Sequence, residues 1–307
     1  MEYKAKNLII ILGPTGVGKS AISLKLAKKI RGEIISCDST QVYTGFDIGT
    51  DKIPVEKREA IYHHLLDVAR PHIQFTAADF VNLSLKAIKA ILKKKKLPII
   101  VGGTGLYLKA LLDGLFPGKK SNPKLRQKLY KEVEKKGLEH LRAKLMEVDP
   151  VYGQKIGRND KVRTIRALEV YYSTNKPITE HFIKTQSPVK DFNILKIGLK
   201  LKREELYKRI NRRTDKMFER GLVREVEHLL QEGVQENSPP FRALGYKYAL
   251  KYLKKEIPLE QAISFTKRDT QHYAKRQMTW FRKINGIQWF SPLDFPSILN
   301  YVEINLK

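Results

Sequence analysis

The 307-residue sequence predicts an α/β fold, a parallel-sheet core interrupted by a mainly helical insertion. Three observations lead there. Short apolar runs alternate with stretches of helical periodicity, the pattern of strands joined by crossover helices. The first run, Leu8-Ile9-Ile10-Ile11-Leu12, ends in a glycine-rich loop that opens a helical pattern. From Pro123 to about Thr185 the chain reads as helices with charged faces and no buried strand, and a strand pattern returns at Asn193–Leu199.

The elements follow in order. Leu8–Leu12 has the length and β-branched content of a strand buried on both faces. Lys19 to about Ile30 carries Ile22, Leu26 and Ile30 at helical spacing, with Gly32 placed as its C-cap. Glu33–Cys37 is a second short strand ending at Asp38. A helix runs from Ala77 to Lys95 and closes in the lysine run 93–96, which suits the negative end of a helix. Leu97–Val101 is a third strand, broken by Gly102-Gly103. Pro117, Gly118 and Pro123 punctuate a linker after Phe116. The insertion is expected over 119–186, the core over 1–118 and 187–307, with more helices from Arg203.

Composition bounds the partners. Lys and Arg total 59 against 32 acidic residues, a formal charge of +27. Such a field attracts polyanions, nucleic acid first and an anionic membrane surface second. Hydrophobic residues at 42% suffice for a sizeable core, which excludes a disordered chain. The single cysteine, Cys37, excludes an internal disulfide and a multi-cysteine zinc site, and fits a reducing cytoplasm. It reads as a buried strand cysteine. His63, His64 and His72 lack metal-ligand spacing. Leu8–Leu12 is too short for a signal sequence or membrane span. The expectation is a soluble, cytoplasmic monomer with no membrane partner.

Gly13-Pro14-Thr15-Gly16-Val17-Gly18-Lys19-Ser20 fits G-x-x-x-x-G-K-[ST] between a strand and a helix, which makes the core P-loop NTPase-like. Backbone N–H groups in such a loop close around phosphate oxygens, and the helix N-terminus adds positive potential. Lys19 can reach the terminal phosphate, and the Ser20 hydroxyl can ligate Mg²⁺. The pattern supports a di- or triphosphate site without naming a nucleotide. Switch and motor NTPases carry an apolar strand ending in a Mg²⁺-holding Asp. Leu97–Val101 ends instead in Gly102-Gly103-Thr104, so Asp38 is the remaining carboxylate at the carboxyl edge of the sheet. It is a metal partner, a general base or a turn aspartate. From the residues alone the reading stops at a phosphate-loop protein that meets nucleic acid. A small-molecule kinase using ATP stays open, as does an RNA-binding protein with a nucleotide switch.

A series of blocks narrows this. Gly13-Pro14-Thr15, Asp38–Tyr43, Asp47–Thr50, His64–Asp67, Ala77–Phe80, Val101–Tyr107, Arg166–Val170 and Lys275–Arg282 stand in one order from Leu8 to about Trp289. In this the chain resembles the bacterial tRNA dimethylallyltransferase, or tRNA isopentenyltransferase, family. The resemblance implies a transfer from dimethylallyl diphosphate to the exocyclic amine of the adenine 3′-adjacent to the anticodon, with Mg²⁺ as cofactor. The partner it implies is the tRNA anticodon stem-loop. It places the diphosphate on Gly13–Ser20, within which Thr15 to Ser20 carry it, and makes Lys19, Asp38 and Arg242 catalytic, with Asp38 as general base. It places tRNA contacts at Asp38, Ser39, Thr40, Gln41, Thr104 and Arg126. Further contacts are Val162, Arg163, Thr164, Ile165 and Arg166 in the insertion, and Arg242, Ala243, Leu244, Gly245, Tyr246 and Lys247 beyond it. Lys275, Arg276, Gln277, Met278, Thr279, Trp280, Phe281 and Arg282 complete the set.

The residue types suit that chemistry. An adenine amine is a weak nucleophile, and a carboxylate accepting its proton helps by about 10²–10⁴-fold. Charge growing on the departing diphosphate needs fixed donors. Arg163 and Arg166 share a helix face, beside an apolar stripe of Val162, Ile165, Leu168 and Tyr172 that is expected to pack. Tyr273, Gln277, Trp280, Phe281 and Ile284 form a mostly core face of one helix, with a stacking platform for bases as the alternative; Arg268, His272, Lys275, Thr279 and Lys283 form a basic one, an RNA-facing surface or ordinary solvated charge. Cys37, Thr40 and Asp51 depart from the family's usual forms. An enzyme prenylating free adenine nucleotides is the nearest alternative, and the basic insertion and the Lys275–Arg282 block argue against it.

Overall fold

A computed structural model describes residues 6–116, 122–183 and 185–306. Among them six strands form one sheet: β1 (Asn7–Leu12), β2 (Gly32–Cys37), β3 (His63–His64), β4 (Leu97–Gly102), β5 (Asn193–Leu199) and β6 (Ile287–Phe290). The order is β3-β2-β4-β1-β5-β6 and every pairing is parallel. β1 is central, with Ile9 opposite Ile99 of β4 and Leu195 of β5. β1, β2 and β4 are buried throughout, as their apolar runs require.

The helices are α1 (Lys19–Ile30), α2 (Ala77–Lys93), α3 (Gly105–Leu112), α4 (Pro123–Lys136), α5 (Leu138–Val148), α6 (Pro150–Lys155), α7 (Lys161–Thr174), α8 (Ile178–Ile183), α9 (Arg203–Glu219), α10 (Leu222–Gln231), α11 (Leu244–Leu253), α12 (Leu259–Phe281) and α13 (Phe295–Asn305). Alternate residues of the sheet, Ile9 and Ile11 of β1 with Ile34, Ile99 and Ile197, share a core with Ile22 and Leu26 of α1 and Leu206 and Ile210 of α9.

The chain divides into two compact units. One comprises the residues up to Lys109 and from Asp191 onward; it holds the sheet. The other, Ala110–Lys190, is built on α4 to α8 around Leu129, Leu141, Leu145, Ile165, Leu168 and Ile178. The expected linker residues Pro117 and Gly118, and the expected boundary beside them, lie outside the described residues.

Several local expectations need correction. The C-cap of α1 is Arg31, in the left-handed conformation at φ 54°, whereas Gly32 already pairs with Leu97 as the first residue of β2. α2 starts from a Thr76–Asp79 capping box and stops at Lys93 rather than Lys95. Beyond it Lys95 takes the left-handed conformation at φ 56°, which breaks the helix, and Lys94 and Lys96 reach the buried Glu33 carboxylate at 3.2 and 2.8 Å. The stripe in α7 is only half packed: Ile165 and Leu168 are buried, whereas Val162 and Tyr172 stand exposed.

Candidate active site

β1 runs straight into the phosphate loop. Gly18 ends it in the left-handed region at φ 107°, a turn that leads the loop into the N-terminus of α1. Lys19 Nζ donates to the carbonyl oxygens of Gly13 and Pro14, both at 2.9 Å. Burial lowers its pKa to about 8; Asp38 opposes that shift and Arg213 adds to it.

Thr15 is held from two helices. Its N–H donates to Gln277 Oε1 of α12 at 2.9 Å, and its hydroxyl accepts from Arg213 Nη2 of α9 at 2.7 Å. Arg213 Nη1 lies 3.5 Å from Asp51, and its buried Nε has no hydrogen-bond partner among the described residues.

Asp38 leaves the end of β2 at the carboxyl edge of the sheet. Its Oδ1 accepts from the N–H of Thr40 at 2.9 Å, the Thr40 hydroxyl at 2.6 Å and the N–H of Gln41 at 3.4 Å. Among the described residues no hydrogen bond reaches Oδ2. One oxygen fixes the turn, and the other takes no part in it. Thr104 follows β4, and its hydroxyl accepts from Ser39 N–H at 3.0 Å, which ties the end of β4 to the turn after Asp38.

These groups surround one cavity of about 770 Å³, the size of a small-ligand site. Thr15, Gly16, Gly18, Lys19 and Ser20 line one part of it, and Asp38, Ser39, Thr40 and Gln41 another. Arg213, Arg242 and Arg276 add cationic charge, Ala243, Leu244 and Gly245 line the wall beside Arg242, and Ile34, Ile53, Leu66, Val101 and Met217 supply apolar wall. Pro14 and Val17 are buried behind the loop.

The loop at 47–51 is clamped from below. The Glu225 carboxylate of α10 accepts from the N–H groups of Asp47, Ile48 and Gly49, and from the Tyr246 hydroxyl. Tyr246 is fully buried, so burial and Glu225 raise its pKa, and both it and Gly245 pack the interior. Tyr246, expected among the RNA contacts, holds the loop through the Gly49 N–H and Glu225. Lys247 is exposed.

The other expected RNA contacts divide similarly. On α12, Lys275, Arg276, Thr279 and Arg282 are exposed and Met278 and Trp280 half-buried, whereas Gln277 and Phe281 are buried. In the helical unit Thr164 and Ile165 are buried within its core, so their side chains serve packing. Arg126 and Arg166 both reach the buried Glu169 carboxylate, at 2.8 and 3.0 Å, and Arg163 stands more exposed beside Asp160.

A family model described as IPP transferase matches residues 41–284. The chain belongs to that family. Among curated IPP transferase relatives it is similar to the tRNA dimethylallyltransferase of Acetivibrio thermocellus, 46% identical over 98% of this chain and 96% of the relative. The tRNA dimethylallyltransferase of Carboxydothermus hydrogenoformans is 47% identical over 93% of this chain and 92% of its own. Among solved structures, the full-length tRNA isopentenylpyrophosphate transferase of Bacillus halodurans matches with TM-score 0.73 and 38% identity, covering 98% of this chain and 97% of that one. A eukaryotic dimethylallyltransferase acting on tRNA matches with TM-score 0.83 and 32% identity over 97% of this chain and 78% of its own. The P-loop NTPase-like, parallel-sheet fold read from the sequence is the fold of this family.

Two residues of this site, Arg213 and Glu225, were not singled out in the sequence, and Gln277 was named there without its bridge to Thr15 and Gly103. Arg213 flanks the buried stripe Ile210–Thr214–Met217 of α9, which was the one available hint that it faces inward.

Proposed function

We propose that this chain transfers the dimethylallyl group of dimethylallyl diphosphate to the exocyclic amine of the adenine 3′-adjacent to the anticodon in tRNA, releasing diphosphate. The observation that carries this reading is the shared cavity: a phosphate loop with Lys19 and Arg213 opens into the same space as the Asp38 carboxylate. Membership of the IPP transferase family, with relatives named for this transfer, supports it.

The amine nitrogen attacks the first carbon of the prenyl chain while that carbon's bond to the diphosphate oxygen breaks. Loop N–H groups, Lys19, Arg213 and Arg242 stabilise the charge that grows on the leaving diphosphate. Asp38 Oδ2 takes the proton of the amine, and Oδ1 stays in its turn. The apolar wall of Ile34, Ile53, Val101 and Met217 suits the prenyl chain. The Ser20 hydroxyl offers a hard oxygen donor beside the phosphate loop, which fits Mg²⁺, a cation that takes few protein oxygens and fills its sphere with substrate phosphates and water. When bound, Mg²⁺ would neutralise diphosphate charge.

Extruding the target base costs a few kcal/mol, and phosphate contacts must anchor the anticodon arm meanwhile. Exposed Lys275, Arg276 and Arg282 on α12, and Arg126, Arg163 and Arg166 in the helical unit, are the basic faces assigned to that task. No helix among the described residues is long and apolar enough to cross a membrane. A cytoplasmic monomer is the form proposed to act.

The test is nucleoside analysis of tRNA after reaction, with a second tRNA carrying guanine at the target position. Prenylated adenosine and equimolar diphosphate from the first tRNA alone are expected. Prenylation of both, or at another base, would overturn the assignment of the target.

A further inference from the structure

Gln277 joins the two halves of the cavity through one side chain. Its Oε1 accepts from the N–H of Thr15 in the phosphate loop, and its Nε2 donates to the carbonyl of Gly103, each at 2.9 Å. Gly103 leads directly into Thr104, which holds the Ser39 N–H beside Asp38. The amide is buried, and α12 presses so closely that a Cβ on Gly103 would come within 2.3 Å of Nε2. The exposed side of the same helix carries Lys275 and Thr279, and Arg276 lines the cavity.

We infer that Gln277 is a positioning residue that fixes the spacing between the diphosphate-holding loop and the Asp38–Thr104 side where the adenine amine reacts. The inference rests on the proposed prenyl transfer and names what sets its geometry. A planar amide suits the task because it accepts at one end and donates at the other across a fixed distance. Reacting atoms must meet at about 3–3.5 Å, and a displacement of about 1 Å costs roughly 10²-fold in rate. Gln277 touches neither substrate; it acts through Thr15 and Gly103.

Two variants test this against wild type. In Gln277→Met both bonds are lost, and kcat is expected to fall by about 10²-fold with the KM for tRNA unchanged. In Gln277→Glu a protonated carboxyl can still accept from Thr15 and donate to Gly103, whereas the ionised form sets charge against a carbonyl oxygen. The activity of Gln277→Glu relative to wild type therefore falls as pH rises, and that of Gln277→Met stays low at every pH. Lys19 and Arg213 at the loop, Cys37 and Asp38 at the end of β2, and Tyr273 on α12 are the titratable and charged groups around the bridge; taking the ratio to wild type cancels their own titration. A flat ratio for Gln277→Glu, or wild-type turnover in Gln277→Met, would overturn the inference. Absence of transfer by the wild-type chain would count against the proposed function instead. Hydrogen exchange at the Thr15 amide then decides the bridge without turnover: faster exchange in Gln277→Met supports it, and equal exchange overturns it.

Discussion

Arg213 donates to the Thr15 hydroxyl at 2.7 Å, joining α9 to the phosphate loop across 198 residues of chain. Its Nε is buried without a hydrogen-bond partner among the described residues. A buried cationic nitrogen with no acceptor is costly, and an anion beside it removes the cost. Under the proposed transfer the guanidinium, which lines the same cavity as Lys19, is expected to act as a second cation for the diphosphate. Replacing it with glutamine is expected to lower kcat/KM for dimethylallyl diphosphate by about 10²–10³-fold. Lysine keeps the charge but loses the planar fork, so that variant falls between. Steady-state kinetics in each substrate checks this; an unchanged value for the diphosphate would remove Arg213 from the site.

Lys19 gives a pH dependence of known sign. Burial holds the free residue at about 8 against an ordinary 10.5, and a diphosphate against the ammonium pulls it back up. Binding then takes up a proton within that window. Affinity for the diphosphate substrate is expected to fall as pH rises from about 8 towards 10.5, by at most about tenfold per unit. Equilibrium binding across that range measures it, and Lys19→Arg should flatten the response.

Asp38→Asn isolates the proton acceptor. Asparagine can still accept the Thr40 N–H through its carbonyl, so the turn survives. Turnover is expected to drop by about 10²–10⁴-fold with tRNA affinity unchanged. Turnover near wild type would remove the general-base role, and lost tRNA affinity would turn Asp38 into a binding residue.

Glu33 predicts acid sensitivity at the opposite, amino end of β2. Burial disfavours its charge, but hydrogen bonds from Lys96, His64 and Lys94 outweigh that and hold its pKa at about 2, below the ordinary 4.5. A depressed carboxylate contributes stability above its unfolded pKa and loses it as pH falls through the folded one. The contribution is on the order of 3 kcal/mol, present above about pH 4.5 and lost towards pH 2. Denaturant unfolding across that range should show the loss in wild type and little of it in Glu33→Gln.

The sheet's centre was legible because Ile9, Ile10 and Ile11 lie in a strand buried on both faces, where an unbroken apolar run is the only solution. Its edges were not. β3 is the pair His63–His64, and β6 is Ile287–Phe290 with a half-exposed pattern; both are short edge strands whose pairing comes from neighbours rather than from their own residues. The phosphate loop and Asp38 were legible as local patterns. Arg213 and the Gln277 bridge were not, because each acts on Thr15 from a helix far along the chain, and periodicity shows a buried face without naming what it touches. Asp51, noted as a departure from the family's usual form, turns out to lie against Arg213.

The most direct test of the central claim uses labelled dimethylallyl diphosphate with Mg²⁺ and three acceptors in parallel: unmodified tRNA with adenine after the anticodon, free adenosine monophosphate, and ATP. Label entering the tRNA alone, with ATP intact, is the expected result. Label in the free nucleotide, or consumption of ATP with none in tRNA, would contradict it and leave a phosphate loop that serves another substrate.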